Sequence, residues 1–146
     1  MAGLIAERLQ VAPDVAWSKH LSGDPVHDPE REAELLEMLS EQADAQGIDT
    51  AFIETFFDAQ FRASRQWQRL LIEDWRRGEA LPEGSPLDLR EDIRPHLNRI
   101  SDELIETLAP FVDGGRPGFR AWCIHYLSEQ GIPGAVAQTA TQGFGF

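Results

Sequence analysis

The chain carries one cysteine, Cys123, and one lysine, Lys19, in 146 residues. A single cysteine excludes an internal disulfide and any multi-cysteine metal site. The four histidines, His20, His27, His96 and His125, show no HExxH-type spacing, so neither a metal nor another cofactor is expected. No apolar run approaches the ~18 residues of a membrane span, and no stretch alternates for long enough to suggest a strand. At a net charge of −12 no basic stripe could dominate the field, which argues against nucleic acid or an anionic membrane as partner. A site for an anion would have to be locally basic against that balance. No leader is legible either, because Met1-Ala2-Gly3 runs straight into an amphipathic segment. An exported protein would therefore be represented here by its mature part.

What is present is helical periodicity. The stretch from Asp49 to Gly78 opens on a helix-start residue, closes on a helix-stop residue and holds no internal Gly or Pro. A helix over about 49–77 would run roughly 40 Å, long enough to be the spine of a bundle. Before it, residues 3–21 read as a helix that Pro13 should kink or split. Asp28-Pro29 restarts the chain as an N-cap followed by proline, and that helix ends at Gly47. Residues 78–86 are a crossover loop, and 89–108 form a further amphipathic helix with an awkward Pro95. Phe119 to Gln130 reads as a short helix with Phe119, Trp122, Cys123, Tyr126 and Leu127 inward. From Gly131 the chain is a Gly-, Ala- and Thr-rich tail whose last residues should be mobile. The expected fold is all-α: one domain over 1–146, a helical bundle built on the long central helix with three further main helices and a short C-terminal one.

The spine carries an interruption. At 100° per residue, Ile53, Phe57, Gln60, Ser64, Gln68, Leu71 and Trp75 fall in a stripe about 80° wide. Its ends are apolar and its middle is Gln60, Ser64 and Gln68. Buried amides and hydroxyls cost roughly 1–3 kcal/mol each when unpartnered, so something polar faces them. Either a partner helix or a wet groove supplies hydrogen bonds, or a ligand pocket lies inside the bundle.

Twelve of the 13 basic residues are arginine. A lone Lys19 in such a chain is either an incidental surface residue or a place where a compact ammonium is wanted in preference to a planar fork. Arg8 and Lys19 lie 11 residues apart, so they share a face if the helix continues through Pro13. They would stand about 16 Å apart along its axis, with side chains long enough to converge on a small ligand.

Arg8, Lys19, the run Asp28-Pro29-Glu30-Arg31-Glu32, the block Phe56-Phe57-Asp58-Ala59-Gln60, Ser64, Gln68 and Arg94 resemble the all-helical AroQ-type chorismate mutases. The exported (gamma) class is nearest in layout. Each motif is short, but the ordered set with its spacings is specific. The resemblance covers a core of about 4–108; residues 109–146 match poorly, form a C-terminal extension and take no role from it.

The resemblance implies conversion of chorismate to prephenate by a unimolecular [3,3] rearrangement, the branch step toward phenylalanine and tyrosine. It implies that Arg8 and Arg94 pair with the two substrate carboxylates, that Ser64 contacts a carboxylate, and that Lys19 and Gln68 hydrogen-bond the ether oxygen. Glu32, with the backbone near Asp28, would hold the ring hydroxyl, and Arg31 would orient that end of the pocket. It further implies a periplasmic or secreted protein, and allows a homodimer with each active site within one chain. The chemistry fits the residues: bidentate arginines suit a dianion, and the reaction asks for a folded substrate and donors at an oxygen gaining charge. An isochorismate pyruvate-lyase on the same scaffold is the nearest rival. A non-catalytic helical binding protein is the rival of another class, in which the polar stripe is an interhelical network.

Overall fold

The computed structural model describes residues 1–144, and among them every regular element is helical. Seven α-helices follow in order: α1 (Ala2–Leu9), α2 (Ala12–Ser22), α3 (Pro29–Ala45), α4 (Thr50–Arg76), α5 (Arg94–Leu108), α6 (Phe119–Glu129) and α7 (Gly134–Thr141). Helix α4 is the expected spine. Asp49 caps it by accepting from the Ala51 amide at 3.2 Å, and its 27 residues run about 40 Å. Helices α2, α3 and α7 pack along it, while α1 joins α5 and α6.

Proline decides two of the boundaries. The expected helix over 3–21 is split: α1 stops at Leu9, and α2 restarts at Ala12 with Pro13 in its first turn. There the missing N–H has no intrahelical partner to lose. The chain leaves α2 through Gly23, whose φ of +78° suits glycine and whose N–H returns to the Lys19 carbonyl at 2.8 Å. Helix α3 begins as its sequence predicts. Asp28 accepts from the Arg31 amide at 3.1 Å, and Pro29 takes the first helical position.

The largest departure from expectation is the C-terminal segment. The chain from Gly131 is not left as a tail: Gly134–Thr141 forms α7, a 3₁₀ turn spans Gln142–Phe144, and Val136, Ala137, Ala140 and Phe144 join the core around Phe56 and Phe57. Residues 145–146, where mobility was expected, lie outside the described residues. Small side chains made the segment look structureless, and they are what lets α7 approach α4 closely. Gln60 is fully buried and donates through Nε2 to the Ala140 carbonyl at 3.0 Å. For Gln60, then, the interhelical reading of the polar stripe holds. On α6, Cys123 and Leu127 are buried as expected, but Trp122 is 52% exposed and stacks on Tyr126 at the surface.

Gly143 marks the tightest approach. A Cβ built there would meet Phe56 Cα at 2.7 Å and Ala59 Cβ at 3.0 Å. Overpacking of this kind costs about 1–3 kcal/mol. Gly143→Ala should lower the thermal midpoint without changing helicity at low temperature. An unchanged midpoint would mean that the 3₁₀ turn does not clamp the spine.

Candidate active site

A cavity opens among α1, α2, α3, α4 and α5, and its two lobes share Arg8, Lys19, Asp28 and Arg31. The larger lobe, about 340 Å³, adds Arg94 from α5 with Leu35, Leu39 and Leu97 as apolar wall. The smaller lobe, about 140 Å³, adds Glu32, Ser64, Arg65 and Gln68. All eight sequence-predicted residues line one or both lobes. Arg8 and Lys19 both reach the cavity even though the helix carrying them is broken between them; convergence comes from the turn at Gln10–Val11 rather than from a continuous helical face.

Arg8 is the most unusual group. It is 7% exposed, and its guanidinium lies over the rings of Phe61 and Phe57, with 5.2 and 5.9 Å to their centroids. Its Nε is buried with no hydrogen-bond partner among the described residues. Burial pushes its pKa down to about 10, with the charge of Glu32 opposing the shift, so it remains a cation at neutral pH. A cation this deep without a contacting carboxylate is a strong attractor for an anion.

Lys19 is half-buried. Burial lowers its pKa; Asp28, Glu32 and Asp24 oppose that, and Arg94 adds to it. Its Nζ donates to the Val26 carbonyl at 2.7 Å, which ties the loop before α3 to α2. Arg94 reaches the cavity through a local device. Asp88 accepts from the Arg90 and Glu91 amides at 2.9 and 2.8 Å and starts a π-helical turn, Leu89–Ile93, that passes directly into α5. Pro95 sits in the first turn of α5, where its ring is tolerated.

The spine supplies the remaining polar wall. Gln68 Nε2 lies 3.0 Å from Ser64 Oγ, and Gln68 Oε1 is buried without a partner among the described residues. Half a turn of the amide would let the Ser64 hydroxyl donate to the carbonyl oxygen and leave the NH₂ with protons to give. Gln60 and Gln68 sit on opposite edges of the predicted stripe, about 80° apart, which is why one meets α7 and the other the cavity.

Two placements differ from what the sequence offers. Glu32 does not stand free; it forms an ion pair with Arg65 and lies 3.8 Å from His27 Nε2. Arg65 itself was not singled out. It lies about 60° beyond Gln68 around the helix, outside the stripe, and only its three-residue spacing to Gln68 hinted at the cavity side. Gln42 and Ser101 also line the larger lobe, and no spacing in the sequence pointed to them.

Comparison with known proteins gives the same direction. Residues 1–69 match the family model described as chorismate mutase type II. The chain is 28% identical over 104 residues to a secreted chorismate mutase of Mycolicibacterium smegmatis, covering 71% of this chain and 57% of that protein. It is 36% identical over 84 residues to a secreted chorismate mutase of Mycobacterium tuberculosis, covering 58% and 42%. The match thus spans about half the length of these two relatives. The crystal structure of a chorismate mutase from Burkholderia thailandensis superposes with a TM-score of 0.84 at 33% identity, covering 98% of this chain and 92% of that one. On that likeness across nearly the whole of both chains, this protein belongs to the chorismate mutase family.

Proposed function

We propose that the chain is a chorismate mutase, isomerising chorismate to prephenate in the cavity between α1 and α5. The observation that carries this reading is Arg8: a buried guanidinium with no contacting carboxylate, beside Lys19 and Arg94, in a protein of net charge −12. Such a pocket suits a small dianion.

In the proposed mechanism Arg8 and Arg94 each take one carboxylate, Ser64 supports a carboxylate, and Arg31 orients the α3 end. Glu32 and the backbone near Asp28 hold the ring hydroxyl. These contacts fold the flexible enolpyruvyl ether over the ring, so that the carbon–carbon bond forms as the carbon–oxygen bond breaks. Negative charge grows on the ether oxygen during that step. Lys19 and the Gln68 amide donate to it, and a preorganised donor in a site shielded from water lowers the barrier more than water would. No proton is transferred. All the residues invoked come from one chain, which supports a self-contained site in any oligomer. The relatives named as secreted support a place of work outside the cytoplasm.

Chorismate added to the purified chain should lose its ultraviolet diene absorbance and yield prephenate. Pyruvate released from isochorismate would instead identify the lyase, and no turnover would leave a binding protein.

The same assay tests the assignment of Gln68. An amide does not titrate, and a lysine whose pKa is lowered below 10.5 stays charged through the neutral range. The wild-type rate should therefore be nearly flat over about pH 5–8 and fall on the alkaline side, at a pH below that of an ordinary lysine. Gln68→Glu makes the donor conditional on a carboxyl whose reference pKa is about 4.3. At neutral pH its carboxylate would repel the ether oxygen's charge and draw Lys19 away. Activity should drop there and recover on acidification, with circular dichroism excluding acid unfolding. Parallel pH profiles for the two proteins would remove Gln68 from the reacting oxygen.

A further inference from the structure

Glu32 stands among basic side chains. Arg65 pairs with it, His27 Nε2 lies 3.8 Å away, and its charge is felt at both Arg8 and Lys19. Among the described residues Arg8, Lys19 and Arg94 make no ion pair, whereas Arg65, reaching the same cavity from α4, is paired with Glu32. The difference has a consequence. A carboxylate in a half-buried site takes the nearest cation, and each choice open to Glu32 has a different effect on an incoming dianion. Turned toward Lys19 it would neutralise the donor meant for the ether oxygen; turned toward Arg8 it would occupy the carboxylate anchor.

We propose that Arg65 is a positioning residue that holds the Glu32 carboxylate away from Lys19 and Arg8, so that both cations remain available to the substrate. The role rests on the mutase reading of the cavity. The geometry suits it. The side chains of Arg65 and Glu32 are 16% and 20% exposed, so solvent screens the pair less than it does the exposed ion pairs elsewhere on the surface. The two residues come from different helices, α4 and α3, and their pairing fixes where the carboxylate points relative to the wall carrying Gln68. The contact runs from Arg65 Nη1 to Glu32 Oε1, a charge-assisted hydrogen bond from a planar guanidinium that is less hydrated than an ammonium.

The test is a double-mutant cycle on turnover. Arg65→Ala should lower kcat/KM on the order of 10–100-fold, because the freed carboxylate moves onto Lys19 or Arg8. Glu32→Gln alone should cost less, as it keeps a polar group for the ring hydroxyl. The decisive variant carries both changes: removing the stray charge should raise activity above Arg65→Ala, back to the level of Glu32→Gln. Arg65→Lys should fall between wild type and Arg65→Ala. A misfolded Arg65→Ala would not be rescued by a second substitution, and thermal midpoints check this directly. If the double variant is no better than Arg65→Ala, Arg65 touches the substrate itself and the proposed role is overturned. Arg65→Ala within about twofold of wild type overturns it as well, since that is the ordinary effect of losing a surface ion pair. Absence of turnover by the wild type would overturn the mutase reading and this role together; normal wild-type turnover with the wrong pattern overturns this role alone.

Discussion

The structure turns on one buried cation. Arg8 lies against Phe57 and Phe61 with its Nε unpartnered among the described residues, and burying charge without a contacting counter-ion works against folding. Cation–π contact with the two rings returns part of that cost, and the charge of Glu32 at longer range returns more. The remainder must come from the rest of the bundle. A site that keeps a guanidinium unpaired has traded stability for readiness to bind an anion, a trade common at functional sites.

The C-terminal segment makes that trade tolerable. Helix α7 and the turn after it lie along α4, with Gly143 against the Phe56 backbone and Gln60 bonded to Ala140. They cover the side of the spine away from the cavity. The first half of α4 is thereby held by close backbone packing, and the next turns present Ser64, Arg65 and Gln68 from a rigid element. Side chains that must line a binding cavity in a fixed arrangement are better placed on such an element than on a loop. A segment that lacks any candidate site residue thus contributes to the site through the helix it braces.

Much of this was legible in the sequence. Asp49, Gly78 and the uninterrupted period between them fixed the spine, and the Asp28-Pro29 start of α3 followed from capping chemistry alone. The eight candidate residues, set in order by the family resemblance, all line the cavity. Other features depended on tertiary contact and left no local signal. The split of the first helix is not among these, since Pro13 signals it and sits in the first turn of α2. Helix α7 was hidden because Gly, Ala and Thr read as a loop, whereas small residues are also what close helix packing needs. Gln60 and Gln68 belong to one stripe, about 80° apart, and the position of α7 is what separates the amide bonded to Ala140 from the one that lines the cavity. Arg65 was passed over because a charge at the flank of a stripe looks like a solvated face until Glu32 is seen opposite it.

The central claim is that Lys19 is a fixed donor to an oxygen gaining charge, in a cavity built by one chain. Lys19→Ala tests it most directly, with kcat for chorismate measured beside the far-ultraviolet circular dichroism of the same sample. Its half-buried side chain adds little to the core, so the helical signal should be unchanged. The loss of one oriented donor should lower kcat by about 10²–10³-fold. A variant that keeps the helical signal and most of the wild-type kcat would make Lys19 a tether for the Val26 loop and nothing more, and the account of catalysis would be wrong.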